Sequence, residues 1–145
     1  MTVRRATVVD QSTIQRIVRE ARLPGMNVHW QNFVVAEEDG RAVGVGQVKS
    51  HGDGSRELAS IAVVLARQGE GIGTAIIKTL LAGEPGVVLH LSCRRELEGY
   101  YEHFGFRRVE GAEYPPYFRR TTGLVNHITP LFGIHLIVMR REAAG

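Results

Sequence analysis

Three glycines at alternate positions, Gly69, Gly71 and Gly73, join an apolar, partly β-branched run (Leu58–Leu65) to a run apolar at helical spacing (Thr74–Leu81). Ile72, Ile76 and Leu80 fall on one stripe of the second run. The pattern predicts a strand, a glycine turn and a helix. The chemistry available there is anion binding. The first turn of a helix leaves amide N–H groups with no intrahelical acceptor, and the helix dipole adds partial positive charge. Glycine lets the backbone approach a bulky anion with no Cβ in between. The turn is a candidate phosphate cradle, although a plain strand-to-helix connection uses the same residue types.

Two phosphate motifs do not fit. A Walker loop needs Gly-Lys-Ser/Thr, and Gly73 is followed by Thr74. A dinucleotide fingerprint needs a small residue three places after its second glycine, where this chain has Thr74 or Ile76, depending on the starting glycine. What fits is Gln68-Gly69-Glu70-Gly71-Ile72-Gly73, a Gln/Arg-x-x-Gly-x-Gly/Ala pattern. It resembles the acetyl-coenzyme A motif of the GNAT superfamily of N-acetyltransferases. A second segment, Tyr101-Glu102-His103-Phe104-Gly105-Phe106, is similar to the Tyr-x-x-x-Gly-Phe segment that closes the fourth helix of that family. Glu57–Val63, the tyrosine–glycine segment and the Tyr-Pro-Pro that follows it also faintly resemble the acetyltransferase domain of N-acetylglutamate synthases.

The resemblance implies transfer of an acetyl group from acetyl-coenzyme A to an amine. Such a reaction calls for a base to deprotonate the ammonium and an acid for the departing thiolate. The implied cofactor-binding residues are Gln68, Gly69, Gly71, Ile72, Gly73 and Thr74 around the pyrophosphate. Ile61, Ala62 and Val63 would pair with the pantetheine arm as a peptide adds to a sheet edge. Glu57 stands where relatives often place the base, and strand alternation puts it on the side of Ala59, Ile61 and Val63. A carboxylate at a strand end can equally be a solvated one. Tyr101 stands at the position of the thiolate-protonating tyrosine, but it also lies on a core-facing stripe with Leu97, Tyr100 and Phe104. Tyr100 reads as core. Arg94 replaces a common asparagine and has a phosphate, a carboxylate or solvent to face. Cys93 ends a strand and reads as a small core residue, with no activating histidine beside it. Trp30 and Phe33, with Tyr114, Tyr117, Phe118, Arg119 and Arg120, are candidates for the acceptor pocket or, on the plainer view, for core and surface.

Composition narrows the field. At 145 residues with 43% hydrophobic and 23% charged residues, the chain is expected to form one domain, 1–145, with a true core. No apolar run reaches membrane-span length, and no apolar leader follows Arg4 and Arg5, so the expected location is cytoplasmic. A single cysteine and scattered histidines argue against a disulfide and a metal site. The net charge of +3 comes from dispersed arginine pairs rather than one run, which fits a polyanionic cofactor better than nucleic acid.

The elements that must position these residues follow from periodicity. A strand at Val3–Ala6 precedes a helix at Gln11–Ala21 capped by Asp10, with Ile14, Ile17, Val18 and Ala21 on its buried face. Met26–Gln31 has room for a second helix, as the family often has. Phe33–Ala36 and Ala42–Lys49 read as a hairpin through Asp39-Gly40. After the glycine turn and its helix come a strand at Val87–Ser92, a helix at Arg95–Phe104 stopped by Gly105, and a strand at Phe106–Val109. A long connection at Gly111–Pro130 and a last strand at Ile134–Met139 complete the chain. The fold class is α+β (mixed α/β): a GNAT-like, mostly antiparallel sheet of about seven strands flanked by helices. The expected function is N-acetyl transfer to a small-molecule primary amine, an amino acid being one candidate. A homodimer is allowed but not required. Two rivals remain open: a non-catalytic acyl-coenzyme A sensor, and a protein lysine or N-terminal acetyltransferase.

Overall fold

The computed structural model describes residues 1–128 and 133–144. In chain order the elements are β1 (Thr2–Arg5), α1 (Gln11–Glu20), β2 (Phe33–Glu38), β3 (Arg41–Ser50), β4 (Arg56–Val63), α2 (Ile72–Ala82), β5 (Leu89–Arg94), α3 (Glu98–Glu102), β6 (Arg107–Arg108), α4 (Pro116–Ile128) and β7 (Leu136–Arg141). The seven strands are hydrogen-bonded in the order β1-β2-β3-β4-β5-β7-β6. Pairing is mostly antiparallel, and the parallel pair is β4 with β5, at Glu57 and His90. This is the expected mixed sheet with helices.

The chain forms two compact units. The first comprises Met1–Lys49 and Leu58–Pro85. Its hairpin turns at Asp39-Gly40, both at positive φ (51° and 75°), as a two-residue turn matched to strand twist requires. Ile14, Ile17 and Val18 of α1 pack with Phe33, Val35, Val45 and Ala62, all buried. Helix α2 lies very close to β3. A Cβ on Gly44 would stand 2.9 Å from Ile76 Cδ1, and one on Gly46 would stand 2.6 Å from Ile76 Cγ2 and 2.7 Å from Ile61 Cδ1. The two glycines are what permit that approach.

The second unit comprises Ser50–Glu57 and Gly86–Gly145. Val109, Phe118 and Val138 form a small core there, with Tyr114 and Tyr117 packed against it. Helix α3 ends in a hydrogen-bonded stop. Gly105, at φ 90°, donates to the Glu102 carbonyl at 3.0 Å, and Phe106 donates to that of Tyr101 at 3.4 Å. That pair of bonds is the Schellman pattern, and it explains why glycine and then an apolar residue follow the helix.

Three expectations are corrected. Asp10 does not cap α1. Its carboxylate is taken by Arg4 at 2.9 and 3.1 Å and by the Thr7 amide at 2.8 Å, because the arginine offers a stronger, charged partner. Met26–Gln31 forms no α-helix; a single 3-10 turn covers Trp30–Asn32. The long connection at Gly111–Pro130 is largely helical, with a 3-10 turn at Gly111–Glu113 and then α4, while residues 129 and 130 lie outside the described residues. Thr121, Thr122, Gly123 and Val125 are weak helix formers, so local propensity hid this helix. One of its first amides is served from elsewhere in the chain: the Asp53 carboxylate accepts the Tyr117 N–H at 2.9 Å.

Candidate active site

In the first unit, β4 runs through the 3-10 turn Leu65–Arg67 into the glycine segment and α2. Gly69 and Gly71 stand at φ 82° and 84°, a region that side chains disfavour, and a Cβ on either would meet no heavy atom within 4 Å. Open space therefore lies over a turn whose conformation calls for glycine. Gly71 is the N-cap of α2, so the amides that follow are those of a helix's first turn. Gln68 is partly exposed, and its Nε2 donates to the Val63 carbonyl at 3.1 Å, which ties the turn to the end of β4. Arg67 is already engaged by Glu38 and Glu70, which leaves backbone amides as the main attraction for an anion. The residues present fit a pyrophosphate.

Strand β4 is not regular. Ser60 adopts φ 57° within it, and its hydroxyl accepts from Gln47 Nε2 at 2.8 Å. A left-handed residue inside a strand breaks the period of two. Simple alternation from Glu57 to Ile61 and Val63, the expectation above, therefore does not extend through this residue as a rule.

In the second unit, Glu57 is buried at the start of β4. His51, from the preceding turn, places Nε2 2.8 Å from Glu57 Oε1, with the two side chains only 6% and 12% exposed. The imidazole stacks on Tyr117 of α4, centroids 3.5 Å apart and planes 12° off parallel, and meets Phe118 edge-on. Asp53 accepts from the Ser55 hydroxyl at 2.6 Å, the Ser55 amide and the Tyr117 amide. Those donors, Ser55 first, pull its carboxyl down to about 2. His90, the sheet partner of Glu57, lies buried 5.6 Å from Phe118 with neither ring nitrogen hydrogen-bonded among the described residues. Burial, then the charge of Arg140, lowers its pKa and keeps it neutral. His51, Asp53 and His90 were not anticipated from sequence. The signal was thin: a histidine six places before a glutamate and a Gly-Asp-Gly-Ser turn.

Tyr101 of α3 sits in the same unit among Tyr100, Phe104 and Phe106. Burial, then the neighbouring Cys93 and Tyr100, push its phenol up to about 12, so it holds its proton across the neutral range. Tyr100, expected in the core, is 40% exposed. Cys93 is buried, its thiol pushed up to about 11 chiefly by burial, and it is no nucleophile in that state. Arg94 is exposed at the end of β5.

The acceptor candidates divide. Phe33 is fully buried in the first core, and Trp30 packs against it, which are the places of core residues. The N-terminal segment does contain a cavity of about 460 Å³, lined by Gln15, Val18, Arg19, Leu23, Gly25 and Val28, but neither aromatic borders it. Arg119 and Arg120 are exposed on α4. Among the described residues no three His, Cys, Asp or Glu side chains gather as a metal site, and no helix is long and apolar enough to cross a membrane.

Residues 29–108, more than half of the chain, match the acetyltransferase (GNAT) domain. No curated protein matches by sequence. Several solved structures share the fold. Rv2747 from Mycobacterium tuberculosis, solved with CoA and NLQ, is 22% identical over 98% of this chain and 99% of its own, with a TM-score of 0.72. N-acetylglutamate synthase from Neisseria gonorrhoeae, complexed with coenzyme A and N-acetyl-glutamate, is 18% identical with a TM-score of 0.70. There the match covers 96% of this chain but 34% of the synthase. An acyl-CoA N-acyltransferase from Pseudomonas aeruginosa is 17% identical over 97% of each chain, with a TM-score of 0.68. At these identities the likeness is one of fold. Together with the matched domain and the glycine turn ahead of α2, it shows that the chain belongs to the GNAT acetyltransferase family.

Proposed function

We propose that this protein is an acetyl-coenzyme A-dependent N-acetyltransferase acting on a primary amine of a small molecule, with an amino acid among the candidate acceptors. The observation that carries the reading is the open turn at Gly69 and Gly71 ahead of the first turn of α2. Amides from Gly69 to Thr74 would hold the pyrophosphate, and the backbone of Ile61, Ala62 and Val63 would align the pantetheine arm. Acetyl-coenzyme A, when bound, supplies an activated acyl group as a thioester. Glu57 takes the first of the two protons that the ammonium loses, and Tyr101 gives its phenol proton to the departing thiolate. The nitrogen–carbonyl bond forms as the carbon–sulfur bond breaks; the second nitrogen proton restores the Tyr101 phenol, and the one on Glu57 leaves to solvent. Arg94, Arg119 and Arg120, exposed and cationic, are the groups available to a phosphate or an acceptor carboxylate. The reading requires no metal, nucleic acid or membrane, and a cytoplasmic location suits it.

Titration calorimetry with coenzyme A, followed by thiol release from acetyl-coenzyme A across a panel of amines and peptides, tests this reading. Binding with turnover of a small amine is expected. Binding without turnover would leave an acyl-coenzyme A sensor, turnover only with peptides would leave a protein acetyltransferase, and no binding would reject the assignment.

A further inference from the structure

We propose that His51 is the positioning residue of the base: its imidazole holds the Glu57 carboxylate in one orientation. The inference rests on the reading of Glu57 as the base, and goes beyond it by assigning a residue outside the family's motifs.

Three constraints converge on one ring. His51 Nε2 lies 2.8 Å from Glu57 Oε1 where both side chains are nearly buried. The ring plane is set by the stack on Tyr117 and the edge of Phe118. Tyr117 is itself held, because its amide donates at 2.9 Å to Asp53, a residue of the same turn as His51. That turn also closes on itself: the His51 amide donates to the Ser55 carbonyl at 2.9 Å, and Gly54 donates back to His51 at 3.0 Å. The imidazole is thus gripped from its own turn and from α4.

A buried aromatic needs none of this polar scaffolding. A buried carboxylate that must present one oxygen to a substrate does, since a hydrogen bond to the other oxygen fixes its rotation. The Nε2–H donates to Oε1, and the first proton lost by the ammonium goes to Oε2. The Tyr117 phenol also feels the Glu57 charge. Tyr117 faces the imidazole with a ring face and Phe118 with a ring edge. Asp53 presents a carboxylate, and Arg120 acts on the Tyr117 phenol. His90, across the parallel pair, is neutral.

Two substitutions in the full chain separate the ring from the donor. His51→Phe keeps a ring for Tyr117 and removes the hydrogen bond. His51→Gln keeps an N–H near the same place and removes the ring. The readouts are kcat for the amine and, beside it, coenzyme A affinity and melting temperature. In His51→Phe kcat falls about tenfold, the cost of a base that no longer keeps its orientation, while coenzyme A affinity and melting temperature stay near wild type. His51→Gln returns kcat towards wild type. Equal kcat in wild type and His51→Phe would overturn the proposal, as would a His51→Gln that behaves like His51→Phe. Glu57→Gln separates the two layers. Full activity there removes the base reading and this role with it. Loss of activity there, with unchanged kcat in His51→Phe, removes the role of His51 alone.

Discussion

The glycine turn at Gly69–Gly73 and the cluster around Glu57 are built by opposite means. The turn offers backbone: two glycines at positive φ, open space above them, and the first amides of a helix. Its parts come from one continuous stretch of chain. The cluster offers side chains from three separate stretches: His51 to Glu57, His90, and Tyr117 with Phe118. On the function proposed above, the first binds a pyrophosphate and the second moves a proton. Binding and chemistry are then open to separate damage.

The largest test of that division is Glu57→Gln. It should lower kcat by about 10²–10⁴-fold, the usual scale for removing a general base, while calorimetry finds coenzyme A affinity unchanged. A comparable loss of affinity would erase the distinction. Gly71→Val makes the converse damage. A β-branched residue at φ 84° is strained, and its side chain fills the space over the turn, so coenzyme A affinity should fall by about a hundredfold. At saturating acetyl-coenzyme A, kcat should change far less. Tyr101→Phe is the next step down. It removes a hydroxyl and keeps the ring among Tyr100, Phe104 and Phe106, so kcat should fall about 10–100-fold with little change in melting temperature. An unchanged kcat would make Tyr101 a packing residue.

The smallest effect concerns the scaffold of the cluster. Asp53→Ala removes the acceptor of the Tyr117 amide at the start of α4 and should cost about 0.5–1 kcal/mol in denaturant unfolding, modest because the carboxylate is exposed. The pH dependence has a definite sign. A carboxyl held down to about 2 stabilises the fold at pH above its unfolded value of roughly 4, and the contribution is lost as pH falls from there towards 2. In Asp53→Ala that part of the acid dependence should vanish. If it persists, the cap does not come from Asp53.

The same contrast explains what could be read from the sequence. Asp39-Gly40 and the Tyr101–Phe106 stop are local devices, in which a few neighbouring residues dictate φ angles and hydrogen bonds, and both stand where periodicity put them. The glycine turn was legible for the same reason. Helix α4 was not, because its cap lies in another segment and its own residues favour helix weakly. The fate of Asp10 turned on a competitor, Arg4, that local capping rules do not weigh. Ser60 carries no local signal that it leaves the β region, so alternation along β4 is no guide past it. Glu57 stands out in the sequence by its position at a strand end, but its partner does not, since nothing in a chain of letters says that His51 turns back onto it.

Gly44 and Gly46 bear on all this from beneath. They form a bare strip of β3 on which α2 lies, so that a methyl group at either position would press on Ile76. The strip works as a shim of zero thickness: a side chain grown there would force Ile76 and its neighbours on α2 to give way, by rotating or by moving the helix that carries the glycine turn at its head. On the function proposed above, the grip on a ligand then has an adjustment outside the Gln68–Gly73 motif. A change from glycine to alanine at position 46 could retune the cradle while every letter of that motif stayed the same.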